Sequence, residues 1–446
     1  MASTLAQIVP TPTPNPSPQG GGERRGACPG LSSPMPTGDG LLVRLVPVGT
    51  IPLDAFTALC AAAREHGNGV IEVTARGSIQ IRGLSATSAP RFADTIAALG
   101  IAADGIPVLT NPLTGIEPAE IFDAGALARD LRNRLAANLL PERLAPKISI
   151  AIDGRGALGL DAVSADVRLD AADNDGGSLY IGLGGDRNGA VPLGAVATAN
   201  AAEAVIRLLE VVSRRGRSAR TRDVVKAEGT TPFRKAIADL MIADTPPTSC
   251  PGLSRASTTY GRDDGRDPVG VHLLRDGLFA CGVGFHADAS ALEHLTEAAR
   301  SAGAVGMRTA PERVLFAIGI GPANVATFIT TAERLGFIIR PDDPRRRVIA
   351  CPGAPGCASA YIAARAIAPE IAEAAASSLA NGETIHISGC AKGCAQPGPA
   401  ALTIVGTPDG CALIADGTTR DTPFAVVAPN RLTEAIASAM REGRHV

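Results

Sequence analysis

The chain has 446 residues, which exceeds the roughly 250–300 residues over which a single hydrophobic core keeps growing, so two or more domains are expected. Its 42 Lys and Arg nearly balance its 44 Asp and Glu, and aromatic residues make up only 3% of it. This composition weighs against nucleic acid or an anionic membrane as the main partner, and nine cysteines without a secretory segment predict a cytoplasmic protein.

The chain contains a repeated four-residue motif. Residues 1–27 are rich in Pro, Gly and Ser and are predicted to be a disordered extension. The motif CPGL then occurs at 28–31 and again at 250–253. After the first motif the periodicity predicts strands at 41–48, 70–74 and 79–82 and a helix at 55–66. After the second motif it predicts strands at 269–274, 278–283, near 305 and at 314–318, and a helix at 289–302. We therefore predict two related half-domains.

The two copies differ in their charged residues. Residues 74–82 align without a gap on residues 309–317. Arg76 and Arg82 of the first copy correspond to Pro311 and Ala317 of the second. The first copy therefore carries the charge, and the second is predicted to act as a scaffold.

A longer α/β pattern follows each half-domain. After the first copy we predict helices at 126–139 and 201–212 and strands at 147–152, near 167 and at 179–183; after the second copy we predict a long helix at 358–379 and a strand at 384–387. The predicted boundaries are 28–110 and 246–343 for the half-domains and 111–245 and 344–446 for the larger α/β domains.

Four cysteines lie in the last quarter of the chain. Cys351 and Cys357 form a Cys-x5-Cys pair, and Cys390 and Cys394 form a Cys-x3-Cys pair. Thiolates select iron–sulfur clusters, Zn²⁺ or Cu(I). Zinc knuckles usually open with a shorter gap, so the spacing favours a [4Fe-4S] cluster, with a four-cysteine zinc site or disulfides as alternatives.

This order of elements, together with CPGAPGC and SGCAKGC, resembles the ferredoxin-dependent nitrite and sulfite reductase superfamily. The resemblance implies an α+β fold with a duplicated architecture: two paired ferredoxin-like half-domains and two larger α/β domains, the second of which carries a [4Fe-4S] cluster. It also implies that a tetrapyrrole lies between the domains. In the reductases that tetrapyrrole is sirohaem, and the residue matching Cys394 bridges the cluster and the haem iron.

Within the superfamily, the compact size, the CPGL motifs and RRRVIA at 345–350 look most like the precorrin-3B synthase family. The resemblance implies an O₂-dependent monooxygenase of cobalamin biosynthesis that converts precorrin-3A to precorrin-3B by meso-carbon hydroxylation with γ-lactone formation. It implies NADH as the ultimate electron source and a mononuclear non-haem iron besides the cluster. A monomer is expected. The alternatives are a sirohaem-dependent nitrite or sulfite reductase and a non-catalytic cluster or zinc protein.

Basic residues distinguish the two enzymes. The reductases present two arginines and two lysines to their anion; the candidates here are Arg44, Arg76 and Lys147, and Ser149 replaces the second lysine. A precorrin carries many carboxylates, which arginine binds in a bidentate manner. Arg44, Arg76, Arg82 and Lys147 are therefore the predicted substrate-binding residues, and Arg76 and Lys147 the predicted catalytic ones. A further candidate set is Arg214, Arg215, Arg217, Arg220 and Arg222.

Two other kinds of site are not predicted. A non-haem iron usually takes two His and a carboxylate, but no two of the six histidines lie at ligand spacing on one element, so packed or surface histidines are expected. Gly182–Gly185 lacks the rest of a dinucleotide fingerprint. We therefore expect electrons to arrive from a separate NADH-linked donor.

Overall fold

The computed structural model describes residues 29–103, 105–172, 175–242, 267–284, 287–376, 379, 382–396 and 398–441. The predictions for residues 1–27, for Cys28 and for the second CPGL motif lie outside the described residues. Four sheets with their covering helices make up the described part, which confirms the predicted α+β class with a duplicated architecture.

The first half-domain is an antiparallel sheet in the order β1-β2-β5-β4, covered on one face by two helices. Its elements are β1 (Met35–Thr37), β2 (Gly40–Pro47), β3 (Ile51–Pro52), α1 (Leu53–His66), β4 (Val70–Val73), β5 (Ile79–Leu84), α2 (Ser88–Leu99) and β6 (Ala102–Ala103). Period-2 alternation places Val43 and Leu45 in the core and leaves Arg44 on the opposite face. This opposite face carries Arg44 and Arg82, two of the basic residues predicted from the sequence.

The first α/β domain has a five-stranded sheet in the order β11-β10-β9-β8-β7. Its elements are β7 (Val108–Thr110), α3 (Ala124–Ala136), α4 (Leu140–Arg143), β8 (Ile150–Asp153), β9 (Ala165–Ala171), β10 (Ser178–Gly185), β11 (Val191–Ala197), α5 (Ala201–Ser213), α6 (Thr221–Glu228) and α7 (Thr231–Ala236). The pairs β7-β8 and β8-β9 are parallel, and β10 and β11 are antiparallel to their neighbours.

The second half-domain repeats the first. Its elements are β12 (Gly270–Leu273), β13 (Phe279–Gly284), β14 (Ala287–Asp288), α8 (Ala289–Ser301), β15 (Gly306–Ala310), β16 (Val314–Ile320) and α9 (Val325–Arg334). β5 and β16 begin at Ile79 and Val314, which are aligned residues in the sequence repeat. The structure therefore confirms that alignment.

The half-domains exchange short edge strands. β3 of the first pairs with β15 of the second, and β14 of the second pairs with β4 of the first. The aligned residues Arg76 and Pro311 form an antiparallel bridge, so the local pseudo-twofold axis passes between them. The helices α1 and α8 pack together, and their buried residues Phe56, Leu292 and Leu295 belong to one core. The half-domains are thus one body with a shared core.

The second α/β domain repeats the first. Its elements are β17 (Val348–Ala350), α10 (Ala364–Ala375), β18 (Ile385–Ser388), β19 (Ala400–Thr407), β20 (Gly410–Gly417), β21 (Ala425–Val427) and α11 (Leu432–Arg441). The strand order β17-β18-β19-β20-β21, with two parallel and two antiparallel pairs, matches the order in the first domain. The duplication therefore includes the larger domains.

The predicted helix at 358–379 is wrong at its start. The helix begins at Ala364, because the preceding residues form a loop whose backbone groups are used elsewhere. The N–H of Tyr361 donates to the carbonyl of Gly389 at 2.8 Å, and the carbonyl of Ile362 accepts from the N–H of Ala354 at 2.9 Å. These bonds hold the cysteine-bearing loops together and exclude helical pairing there.

Among the helices of the described residues, none combines the length and the apolar character that a membrane crossing requires.

Candidate functional site

The four cysteines follow two neighbouring parallel strands. Cys351 comes directly after β17, and Cys390 lies two residues after β18. Because the carboxyl ends of parallel strands meet at one sheet edge, both cysteine pairs lie at that edge. Cys351 is buried, Cys357 and Cys390 are half-buried, and Cys394 is exposed. The structure therefore places the pairs together, with Cys394 at the outside.

Glycines allow the two cysteine loops to approach each other closely. A Cβ on Gly389 would lie 2.6 Å from the Cβ of Ala360 and 3.2 Å from the Cα of Gly353, both of which belong to the first cysteine loop. The N–H of Gly389 donates to Sγ of Cys351 at 3.0 Å. An N–H donor of this kind stabilises a thiolate, because it favours the charged form.

Electrostatics also show that the thiols are neighbours. Burial raises the pKa of the Cys394 thiol, and the nearby thiols of the other three cysteines raise it further, whereas Lys392 lowers it. Within the described residues, no three His, Cys, Asp or Glu side chains are close enough to hold one metal ion. The four thiols are therefore near neighbours without forming a closed ligand set for a single ion.

Arg82, one of the predicted substrate-binding residues, links the first half-domain to the first cysteine loop. Its Nε and Nη2 donate to the two carboxylate oxygens of Asp39 at 3.0 and 2.9 Å, and Nη2 also donates to the carbonyl of Gly356 at 2.6 Å. Arg82 is 4% exposed. Next to this pair, a Cβ on Gly38 would overlap the backbone between Cys357 and Ala358. The first half-domain is therefore in direct contact with the CPGAPGC loop.

Arg44 belongs to a polar row on the same sheet face. With its amide oriented to suit its neighbours, Gln80 accepts from Nη2 of Arg44 at 2.7 Å and donates to Glu72 at 3.1 Å. Glu72 in turn pairs with Arg365, which lies in the first turn of α10. The row Arg44, Gln80, Glu72 and Arg365 crosses β2, β5 and β4 and ends on the cysteine-bearing domain. The structure thus places Arg44 and Arg82 on the face turned towards that domain.

The other predicted residues are more scattered. Arg76 is exposed in the loop before β5 and lies beside Pro311, and Lys147 is exposed before β8. Ser149 is 2% exposed, and its N–H donates to Asp166 at 3.0 Å. Two members of the arginine set are held by acids: Arg220 binds Asp166, with Nη2–Oδ2 at 2.6 Å, and Arg215 pairs with Glu228. Arg214, Arg217 and Arg222 are exposed, and Nε of Arg222 lies 3.8 Å from Oδ1 of Asp223.

Sequence reasoning missed the counterpart of the cysteine loop in the first α/β domain. Asn111 follows β7 as Cys351 follows β17, and α3 and α10 both begin thirteen residues later. Glu117 is then the counterpart of Cys357. The N–H of Gly154 donates to Oδ1 of Asn111 at 2.7 Å, as that of Gly389 donates to Cys351. The shared Asn-Pro and Cys-Pro dipeptides after matching strands were the available signal.

This counterpart holds buried carboxyls instead of thiols. Glu117 and Glu120 are 3% and 6% exposed, and burial raises the pKa of both carboxyls. One oxygen of Glu117 accepts from the N–H of Ala157, and the other has no partner within the described residues. The first domain therefore keeps the loop's main chain without the cysteines.

Among the histidines that the structure describes, the most completely enclosed one lies beside the site. His386 in β18 is fully buried, and neither ring nitrogen has a hydrogen-bond partner within the described residues. Burial lowers its pKa from the ordinary 6.5 to about 4. As the sequence predicted for isolated histidines, it is a packed residue.

This burial predicts acid sensitivity. Above pH 6.5 His386 is neutral in both the folded and the unfolded chain; between pH 6.5 and about 4 only the unfolded chain takes up the proton. The free energy of unfolding should therefore fall across this window by up to about 3 kcal/mol from this residue. Urea unfolding at several pH values should show a shallower fall for His386→Leu, whereas the exposed His294→Ala should match the parent chain. Equal slopes for His386→Leu and the parent would contradict the prediction.

Comparisons with known proteins agree with this architecture. Residues 33–99 match the family model of the nitrite/sulfite reductase ferredoxin-like half domain. The chain is 38% identical over 420 residues to a precorrin-3B synthase of Sinorhizobium sp., covering 93% of this chain and 88% of that protein. It is 27% identical over 393 residues to a ferredoxin–nitrite reductase of Synechococcus elongatus, covering 81% and 75% of the two proteins.

A solved structure has a similar fold. The NirA protein of Mycobacterium tuberculosis superposes with a TM-score of 0.71 at 21% identity, covering 90% of this chain and 80% of that one. At this identity the likeness shows the fold alone.

Proposed function

Because this chain belongs to the precorrin-3B synthase family within the nitrite/sulfite reductase superfamily, we propose that it converts precorrin-3A to precorrin-3B. In this reaction one oxygen atom of O₂ enters the meso carbon as a hydroxyl, and a ring A acetate closes to a γ-lactone. The other oxygen atom leaves as water after taking up two electrons and two protons.

The observation that carries the proposal is the 38% identity over 93% of the chain, against 27% to the nitrite reductase. The geometry at Ser149 supports the same choice. A reductase needs a second lysine there to bind its anion, whereas Ser149 is buried and its N–H is held by Asp166. Losing one cation from a water-poor anion site costs about 1.5–3 kcal/mol. A polycarboxylate substrate does not require that lysine.

The substrate is proposed to lie against the outer face of the first sheet and the exposed Cys394. Arg44 is held in place by Gln80, and Arg76 is exposed in the loop before β5. Both guanidinium groups are suited to bind the carboxylates of the tetrapyrrole rim. Lys147, which is exposed before β8, is proposed to add a cation and a proton donor. Arg76 and Lys147 remain the proposed catalytic residues.

The four cysteines fit a [4Fe-4S] cluster. Cys351, Cys357, Cys390 and Cys394 would supply the thiolates, and the N–H of Gly389 already points at one of them. When bound, the cluster would supply single-electron transfer at the edge of the substrate site. A mononuclear non-haem iron is also proposed, because the family resemblance implies one; no ligands are assigned to it. Electrons would come from a separate NADH-linked donor in the cytoplasm.

The test is a reaction of the anaerobically purified protein with precorrin-3A, O₂ and a reducing system, analysed by mass spectrometry with ¹⁸O₂. We expect a product that carries one ¹⁸O atom and water that contains the second ¹⁸O atom. Reduction of nitrite or sulfite without conversion of the precorrin would favour the reductase alternative and overturn the proposal.

Arg44 and Arg76 provide a prediction about binding. Replacing either with alanine should weaken precorrin binding by about ten- to a hundredfold, since each variant loses a charge-assisted bidentate contact worth about 1.5–3 kcal/mol. Lysine at either position should be intermediate, because it keeps the charge without the planar fork. Tetrapyrrole titration measures the effect, with the exposed Arg91→Ala of α2 as the matched control. Unchanged affinity in Arg44→Ala and Arg76→Ala would remove these residues from the site.

A further inference from the structure

We propose that Arg82 and Asp39 form a clamp that holds the first cysteine loop in its cluster-binding shape, so that Arg82 is a positioning residue of the cluster and not a ligand of the tetrapyrrole. This inference uses one part of the proposed function, namely that the first cysteine loop binds a cluster. It replaces the substrate-binding role predicted for Arg82 from the sequence.

The contacts of Arg82 leave little of it for a substrate. Two of its nitrogens are engaged by the Asp39 carboxylate and one of these also by the Gly356 carbonyl, and the side chain is only 5% exposed. A guanidinium already neutralised by a carboxylate has little attraction for a second one. Gly356 immediately precedes Cys357, so the clamp holds the loop beside a cluster ligand.

Asp39 is itself fixed from several sides. It accepts from Thr37 at 2.8 Å and from Asn68 at 3.0 Å in addition to Arg82. Burial would raise the pKa of the Asp39 carboxyl, but the hydrogen bonds from Arg82 and Thr37 outweigh it and lower the pKa. Gly38 packs directly on the backbone of Cys357 and Ala358. The turn before β2 is therefore a rigid support for the loop.

The corresponding loop of the first α/β domain, which has no cysteines, is held by the second half-domain in a similar way. Ile116 is the counterpart of Gly356, and its carbonyl accepts from the N–H of Arg275 at 3.0 Å. Arg308 donates to the carbonyls of Pro112 and Thr114 in the same loop, at 3.3 and 2.9 Å. Each α/β domain thus presents this loop to the half-domain of the other repeat. The loop keeps its backbone bonds in the first domain with Asn111 and Glu117 in the cysteine positions, so this conformation does not require a cluster.

The test uses Asp39→Asn and Arg82→Gln, with the exposed Arg91→Gln as the control. Asparagine at 39 keeps the shape of the side chain but loses the charge that holds Arg82. Each variant is first checked for a parent-like thermal unfolding transition. Three quantities are measured. The first is the rate at which Cys357 of the apo-protein is alkylated relative to Cys394, with the modified residues located by peptide mass spectrometry. The others are the rate of cluster loss to a chelator and the precorrin affinity of the cluster-loaded protein.

The clamp predicts that both variants expose Cys357 about tenfold faster, because local opening becomes easier when a charge-assisted hydrogen bond is lost. Cluster loss should accelerate in parallel, and precorrin affinity should stay within about twofold, as expected for a residue that does not contact the ligand. The proposal would be overturned if Arg82→Gln bound precorrin more weakly while Asp39→Asn bound it as tightly as the parent or more tightly, and if Cys357 in both variants were alkylated at the parent rate. In that case Arg82 would bind substrate, and removing the nearby acid would help an anionic ligand.

The alkylation rate needs neither cluster nor substrate. If the parent chain holds sirohaem or does not convert precorrin, the proposed function fails while the alkylation result still decides the clamp.

Discussion

Replacement of Cys394 by serine should leave the purified protein without the visible absorption of an iron–sulfur cluster and without activity. A [4Fe-4S] cluster takes four thiolates, and the structure brings four cysteines together at one sheet edge. Cys394 is the most exposed of the four, so its removal disturbs little packing and the loss reports on ligation. Iron and sulfide content, together with the visible spectrum of protein purified without oxygen, measure the effect.

Cys411 provides the matched control. It lies in β20 of the same domain, is fully buried and belongs to the hydrophobic core of that domain. Cys411→Ala should keep the parent content of iron and sulfide and lose only some stability, of the order of 1 kcal/mol for a small cavity. A Cys394→Ser variant with a full cluster would show that the ligand set is wrong.

The second large effect is expected at Arg168 in β9, the largest fully buried side chain in the described part of the chain. Its guanidinium pairs with Asp170 at 2.9 Å and with Asp153 at 3.3 Å and donates to the carbonyls of Leu160 and Val163. Arg168→Met should lower the free energy of unfolding by about 3–5 kcal/mol, because it leaves two buried carboxylates without their cation. Urea unfolding of the apo-protein measures this.

The exposed Arg134 in α3 is the control for that experiment. It forms an i,i+4 pair with Asp130 on the surface, and Arg134→Met should cost at most about 1 kcal/mol. A similar small cost for Arg168→Met would mean that water or a counter-ion reaches the buried carboxylates in the variant.

The fold was largely predictable because the chain repeats itself. The alternation in β2 and β5 and the ungapped alignment of residues 74–82 on 309–317 predicted two related half-domains and the strands that begin at Ile79 and Val314, and the family resemblance implied that the half-domains pair. The two-residue strands β3 and β14 were not predicted, since they carry no periodicity and exist only through pairing with the other half-domain. The start of α10 was misplaced for a related reason: the loop before it is held by Gly389, a residue distant in sequence.

The candidate site was predicted unevenly. Cysteine spacing predicted the four thiols, because ligand spacing is a local property of the chain. The environment of the arginines was not predictable: Arg82 contacts a carbonyl 274 residues away, and Arg44 depends on a row that ends at Arg365. The loop with Asn111 and Glu117 could not be recognised from the sequence as the counterpart of the first cysteine loop, because the two loops share backbone hydrogen bonds but not side chains.

The most direct test of the proposed function is the visible spectrum of anaerobically purified protein, combined with acid–acetone extraction and iron and sulfide analysis. We predict about four iron and four sulfide per chain in the cluster and no extractable sirohaem, because the tetrapyrrole is the substrate. Stoichiometric sirohaem would contradict it: the chain would then be an anion reductase in which the buried Ser149 replaces an active-site lysine.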